Sequence, residues 1–463
     1  MPPAHDRAPH QPSAAAGSPP TEVRRVAVSS YLGNTIEYYD FILYGSAAAV
    51  VFGPLFFSNL SPALGTIASF ATLATGYIAR PLGGLVLGHV GDRVGRKRVL
   101  LLTIVMMGLA SGLIGLLPTY AQIGAAAPLL LILLRLVQGF AVGGEWGGAA
   151  LLAAEHAPPA RRGLITAIGQ AGLPSGGLLS TLALGTVSLL PGDQLMAWGW
   201  RVPFLFSFLL LAVGLYMRVR VSESPLFTEL DTRLQEKNTP LVDVLRNPGP
   251  LLRGIAASLP PTVVSTLFGS FAVSYTVGLG ASRSTVLAAL SVGWAGAIVM
   301  TPIYGLLSDR FGRRPVYVSG ALAFAVLAYP LFWAIGSGST ALMYIGFFVV
   351  FALVAVCMSA ALAALLSEMF STRMRYTGIS AAYQVATIVA GFSPLVAGSL
   401  LAAAGGGRNI GWVAGLIVVL SLLAAVAVWF GRESSGSDLR GIATPAERAT
   451  ALGTDGAAQT SAS

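Results

Sequence analysis

The chain is predicted to fold as an all-α integral membrane protein, with twelve transmembrane helices in two six-helix bundles. Three observations predict this. First, its 463 residues are 55% hydrophobic and only 10% charged, whereas a soluble domain carries roughly 25% charged residues. Second, the apolar residues gather into twelve stretches, each long enough to cross a bilayer. Third, one short basic loop occurs twice, as Gly88-His-Val-Gly-Asp92-Arg93-Val-Gly95-Arg96-Lys97 and as Gly305-Leu-Leu-Ser-Asp309-Arg310-Phe-Gly312-Arg313-Arg314. The spacing matches, with Gly, then Asp at +4, Arg at +5, Gly at +7 and cations at +8 and +9, and the copies lie 217 residues apart, nearly half the chain. Duplicated halves in a membrane protein place a site between them.

The elements follow in order. Residues 1–22 are rich in Pro and Ala without an apolar core, so they read as a disordered tail and not as a signal peptide. The first six spans are expected at 26–57, 63–90, 99–118, 126–155, 163–190 and 201–219. The second six are expected at 250–279, 284–308, 315–335, 340–369, 376–403 and 409–430. Several exceed the ~20 residues a span needs, which implies tilt or helix beyond the hydrocarbon. The halves are therefore 23–219 and 250–430. Between them, 220–249 mixes acids and bases (Glu223, Asp231, Arg233, Lys237) and reads as a polar linker with amphipathic helix. Residues 431–463, rich in Gly, Ser, Ala and Thr, read as a second disordered tail.

Cations sort by loop. With both termini on one side, that side receives Arg24, Arg25, Arg93, Arg96, Lys97, Arg98, Arg161, Arg162, the linker, Arg310, Arg313, Arg314, Arg373, Arg375 and Arg432. The other receives Arg201, Arg283 and Arg408. This bias predicts cytoplasmic termini, and an odd number of spans would scramble it.

Composition also excludes. A pI near 9.9 does not imply nucleic acid, because the cations sit in short loops between apolar stretches. A lone Cys357 rules out an internal disulfide framework. There is no G-x-x-x-x-G-K-[ST] loop after a strand, which argues against an ATP-driven pump, and His5, His10, His89 and His156 lack metal-ligand spacing. No cofactor and no enzymatic chemistry are expected.

Charge inside a span is costly, at about 2.5–3.5 kcal/mol per group on insertion scales. Five such groups stand out: Glu37 and Asp40 in span 1, Arg80 in span 2, Arg135 and Glu145 in span 4. At ~1.5 Å per residue, Glu37, Arg80 and Glu145 fall near one level at the midplane, Asp40 a turn further out and Arg135 towards the outer surface. Glu37 and Asp40 share a helix face with Asn34 and Tyr44. Two such carboxylates in low dielectric can trade a proton for a cation, the chemistry of a proton-coupled carrier; the plainer reading is a fixed Glu-Arg pair tying spans 1 and 2. The second half offers neutral polar groups instead, among them Ser270, Ser274 and Tyr275 in span 7 and Tyr383, Gln384 and Thr387 in span 11. Gly139, Gly143, Gly144, Gly147 and Gly148 in span 4 read as close helix packing.

These residues resemble a known group. The doubled loop looks like the hallmark cytoplasmic loop of the major facilitator superfamily, and the resemblance covers about 26–430. Gly33-Asn-Thr-Ile-Glu37-Tyr-Tyr-Asp40-Phe-Ile-Leu-Tyr44-Gly45, Arg80-Pro-Leu-Gly-Gly84, Gln138-Gly-Phe-Ala-Val-Gly-Gly-Glu145-Trp-Gly-Gly148 and Trp198-Gly-Trp-Arg201-Val-Pro-Phe204 are similar to its metabolite:proton symporters. Those carry proline/betaine, shikimate, citrate and 2-oxoglutarate; the stretches Gly143–Glu155 and Tyr383-Gln-Val-Ala look closest to the shikimate branch. The chain departs from the pattern at Tyr38, where Trp is usual, and at Ser258-Leu-Pro-Pro261, where that branch tends to carry Arg and Glu. The tail has no heptads, so coiled-coil osmosensing is not implied.

The reading is a monomeric carrier in a bacterial cell membrane, taking up a small polar carboxylate or zwitterion with protons. Arg80 is the expected carboxylate contact, with Tyr44, Gln138, Tyr275, Tyr383 and Gln384 as further substrate contacts. Glu37, Asp40 and Glu145 are the proton-site candidates. Asp92, Arg93, Arg96, Asp309, Arg310 and Arg313 are expected to gate; by the resemblance, Asp92 sits against the start of span 11, and helix N-termini attract carboxylates. A drug:proton antiporter would use the same fold with an acidic site for cations, and Arg80 argues against it.

Overall fold

A computed structural model describes residues 20–94, 96–143, 153–154, 157–220, 244, 246, 248–370 and 375–431, and among these there is no strand. The first half contributes α1 (Pro20–Val50), α2 (Pro62–Val94), α3 (Arg96–Ile114), α4 (Ala126–Val142), α5 (Arg162–Gln170, then Gly172–Val187) and α6 (Arg201–Arg220). The second contributes α7 (Pro248–Thr266, a π-helical turn at Leu267–Phe271, then Ala272–Gly278), α8 (Arg283–Phe311) and α9 (Arg313–Gly336). It continues with α10 (Thr340–Phe348, a π-helical stretch at Val349–Ala355, then Val356–Met369), α11 (Arg375–Ala403) and α12 (Gly411–Trp429). Residues 20–22, expected in the first tail, instead open α1; the rest of that tail, all of the second but Gly431, and nearly all of the expected linker lie outside the described residues.

Eight of the described helices are long and apolar enough to span a bilayer by length and composition, and apolar segments at Leu101–Ile114 and Ala126–Val142 are shorter. The helices outside those eight have local reasons. α1 carries Arg24, Arg25, Glu37 and Asp40, α3 opens on Arg96-Lys97-Arg98, α5 is interrupted at Ala171, and the stretch after α4 is not described.

Helix pairing repeats between halves. α1 packs on α5, α2 on α4 and α3 on α6; six helices later, α7 packs on α11, α8 on α10 and α9 on α12. Two further pairs, α2 with α11 and α5 with α8, join the bundles, and the same shift of six exchanges them. Helices in lipid gain little from burying leucine, so close approach of small residues does much of the joining. A methyl on Gly139 would meet the backbone carbonyl of Gly76, and one on Gly143 the backbone of Arg80, so α4 lies directly on α2. Gly172 and Gly176 bring α5 onto the α1 backbone in the same way. Apolar side chains turn outward instead: Leu133, Leu209, Val299 and Val326 are all more than half exposed, as lipid-facing residues are.

The repeated motif closes helices rather than forming an open loop. Asp92 lies on the last turn of α2, and Asp309 on the last turn of α8. Gly312, with φ 97°, then turns the chain into α9, a left-handed conformation that favours glycine. This is the motif end of the molecule.

Candidate functional site

A cavity of about 50 Å³ lies between the bundles, room for a few water molecules. Tyr38 and Phe41 of α1 and Tyr77 and Arg80 of α2 form one wall. Thr262, Ser265, Thr266 and Ser270 of α7, with Tyr383 and Thr387 of α11, form the other. Arg80 is the one charged group among the described residues that line it. The walls meet where the Tyr38 and Tyr383 hydroxyls share a hydrogen bond of 2.7 Å.

The α7 wall follows from local sequence. Thr262, Ser265 and Ser270 recur at helical spacing and so share a face. Thr262 donates to the Ser258 carbonyl at 2.7 Å, Ser265 to Pro261 at 3.0 Å and Thr266 to Thr262 at 3.1 Å. With their hydrogens turned back to the helix, these hydroxyls present acceptor lone pairs to the cavity. Pro261 has no N–H to give the Ala257 carbonyl, and Tyr317 of α9 fills that place, donating at 2.6 Å. The proline pair is thereby held in a continuous helix.

Arg80 is buried, with Nη2 3.6 Å from Glu37 Oε1. Its guanidinium carbon lies 4.0 Å from the centre of the Phe41 ring and 4.7 Å from that of Tyr77. This is a loose ion pair on an aromatic floor, with Nε lacking a hydrogen-bond partner among the described residues. Glu37 and Arg80 thus meet, as the depth argument expected.

Behind Phe41, inside the first bundle, lies a second polar layer. Asp40 accepts from Ser207 of α6 at 2.6 Å and from Ser111 of α3. Ser111 in turn accepts from Gln138 Nε2 at 2.5 Å, and the Gln138 carbonyl accepts from Arg135 Nη1 at 3.1 Å. Tyr44 donates to Thr72 at 2.7 Å and lies under the Arg135 guanidinium. Asp40, Tyr44 and Gln138 are therefore packed inside the bundle and do not line the cavity. Arg135, set apart from Arg80 by helix rise, shares a ring with it, because rise locates Cα and not the end of a long side chain.

The remaining candidates fall in three places. Tyr383 lines the cavity; Gln384, next to it, donates from Nε2 to the Gly143 carbonyl and bridges α11 to α4. Tyr275 stacks on Phe271 and against Phe332 away from the cavity lining. Glu145 lies outside the described residues, as do the side chains of Asp92, Arg93 and Arg96, whose backbone is helical.

At the motif end, Asp309 reaches across to the first bundle. Its carboxylate accepts from the backbone N–H groups of Gly163 at 2.8 Å and Leu164 at 2.9 Å, the first turn of α5. A helix start is where free N–H groups and positive potential favour an anion. Arg313 pairs with the same carboxylate at 2.6 Å and approaches Glu368 of α10 at 3.5 Å. Arg162 of α5 pairs with Glu368 at 2.9 Å, an ion pair that crosses between the bundles. Arg310 is exposed and lies over Phe311. Sequence reasoning did not single out Arg162 or Glu368 as partners, nor Thr262, Ser265 and Thr266; for the hydroxyls the helical spacing was a usable signal.

Comparison with known proteins agrees with this architecture. The family model described as Sugar (and other) transporter matches residues 26–251, and that of the Major Facilitator Superfamily matches 261–453. The shikimate transporter of Escherichia coli (strain K12) is 42% identical over 393 residues, covering 82% of this chain and 88% of that protein. The proline/betaine transporter of Salmonella typhimurium is 32% identical over 437 residues, covering 92% and 86%. A crystal structure of a D-xylose-proton symporter superposes with a TM-score of 0.70 at 23% identity, over 90% of this chain and 100% of that one. The chain is thus no enzyme but a multi-pass transport protein of the bacterial inner-membrane kind, and it belongs to the major facilitator superfamily, among the metabolite transporters that include the shikimate and proline/betaine carriers.

Proposed function

We propose that this protein takes up a small polar carboxylate, or a zwitterion bearing one, together with protons, with its motif end and both termini in the cytoplasm. The observation that carries the reading is Arg80, the single charged group among the described residues that line the cavity, buried and with an Nε that has no hydrogen-bond partner among them. A guanidinium offers planar paired donors that match a carboxylate and cannot lose its charge. Opposite it, the α7 hydroxyls offer acceptors, which suit donor groups on the rest of the substrate. Glu37 beside Arg80 competes with a bound carboxylate for the same guanidinium. A proton on Glu37 frees Arg80 for the substrate, which ties one proton to one bound anion.

The carboxylate layer of Glu37 and Asp40 supports proton coupling, and the buried contacts of Asp309, Arg162 and Glu368 support a gate at the motif end. The test is uptake into proteoliposomes of a panel of organic acids, betaines and amino acids. Uptake of a carboxylate should rise with an inward pH gradient and collapse with an uncoupler. Uptake that ignores both and requires sodium would rule out proton symport.

A further inference from the structure

Phe41 holds two guanidinium groups against one ring. The Arg80 carbon lies 4.0 Å from the ring centre and the Arg135 carbon 4.1 Å. Phe41 and Arg80 line the cavity, and Arg135 does not. Arg135 is wholly buried, its stem lying along Gly76. Its Nη1 is used by Gln138, but Nε and Nη2 have no hydrogen-bond partner among the described residues. It forms no ion pair among the described residues, and Asp40, whose charge reaches it, is engaged by Ser207 and Ser111. A buried cation with two idle donors is an arrangement that packing alone disfavours. Inside a membrane such groups are kept for use.

We propose that Phe41 restricts this carrier to substrates with one carboxylate, by covering Arg135, a second anion-binding group that the cavity would otherwise contain. The inference rests on the reading of Arg80 as the carboxylate contact. With the ring in place the cavity offers one guanidinium, and the α7 acceptors opposite it repel a second carboxylate. With the ring removed, the Arg135 guanidinium borders the space the ring vacated, with two donors still to be satisfied. The two cations are then no further apart than their two distances to the ring centre combined, which a four-carbon diacid can bridge. Tyr77 flanks both guanidiniums, at 4.7 and 5.8 Å from its ring centre, and would keep Arg135 in place.

The experiment titrates the purified full-length carrier with a matched pair of acids, 3-hydroxybutyrate and malate, which share chain length and a hydroxyl and differ by one carboxylate. The readout is the ratio of their apparent affinities by thermal shift. Phe41→Ala should raise the ratio in favour of malate by roughly tenfold or more, about 1.4 kcal/mol. Phe41→Leu, which keeps part of the bulk, should raise the ratio less than Phe41→Ala does. Adding Arg135→Gln to Phe41→Ala should abolish the gain. If Phe41→Ala does not elute as a folded species, Phe41→Val reads the same ratio. An unchanged ratio in a folded small-side-chain variant overturns the proposal, as does a gain that survives Arg135→Gln. Loss of 3-hydroxybutyrate binding in Arg80→Lys together with an unchanged Phe41→Ala ratio would sink this inference alone. Binding of neither acid by parent or variants would overturn the carboxylate reading and this inference with it.

Discussion

Replacing Asp309 by Asn should loosen the motif end without touching the cavity. Only contacts that cross between bundles change when that end opens, so the ion pair of Asp309 with Arg313, both in the second half, cancels. What remains is the pair of bonds from Gly163 N and Leu164 N. Asn keeps one acceptor oxygen and turns an N–H₂ towards the other donor, so at least one charge-assisted bond is lost. The carboxylate is 8% exposed, so solvent screening discounts little. A hydrogen bond to a charged group contributes about 1.5–3 kcal/mol. With the charge lost at a helix start, the closed state should weaken by about 2–3 kcal/mol, a factor of roughly 30–150 in the closed-to-open ratio. The assay places a reporter cysteine at Ala390, which lines the cavity, in a Cys357→Ser background. An impermeant maleimide applied from the motif side of inverted vesicles should label the Asp309→Asn protein more than tenfold faster, while substrate affinity, measured without the reporter, stays within a few-fold. Unaltered labelling with lost affinity would mean that Asp309 acts on the cavity, and the gate would have to be placed elsewhere.

Three further outcomes are expected. Arg80→Lys should lose most carboxylate affinity although charge is retained, because an ammonium cannot give two planar donors; unchanged binding would make Arg80 a structural partner of Glu37. Gly139→Ala should lower thermal stability by about 1–3 kcal/mol, since its methyl meets the Gly76 carbonyl and α4 must lift from α2; a melting temperature equal to the parent's would show that this crossing has slack. Tyr317→Phe should cost about 1–3 kcal/mol by leaving the Ala257 carbonyl without a donor, and thermal unfolding in detergent measures it; no change would mean that another group serves that carbonyl.

Much of the architecture was legible in the sequence for physical reasons. Lipid demands long apolar helices, so the spans announce themselves, and the doubled Asp-Arg motif fixes how the halves correspond. Charge in such helices is rare enough that Glu37 and Arg80 could be matched by depth alone. The face a side chain turns to is less visible. Tyr44 and Gln138 point into the first bundle, and Tyr275 stacks with phenylalanines, because an apolar helix in lipid shows no polar stripe to separate cavity from packing. The ion pair of Arg162 with Glu368 joins residues 206 apart, and nothing local announces it. Arg135 shows a further limit: its four-bond stem carries the charge well away from its Cα, onto the ring that Arg80 also uses.

The two walls of the cavity differ in kind, and this bears on how such carriers diversify. Glu37, Asp40, Arg80 and Arg135 all belong to the first bundle, and the wall facing them is built from α7 and α11 hydroxyls. Exchanging Thr262, Ser265 or Thr266 for an amide or an apolar group alters shape and hydrogen bonding while leaving every buried charge where it was. A lineage can therefore wander among cargoes through single neutral substitutions on one wall, without passing through forms in which a charge is stranded in the bilayer. Innovation is cheap on the second bundle and hazardous on the first. Chimeras that keep the first half of this chain and borrow α7 from a relative should inherit the donor's preferences more readily than the reciprocal exchange.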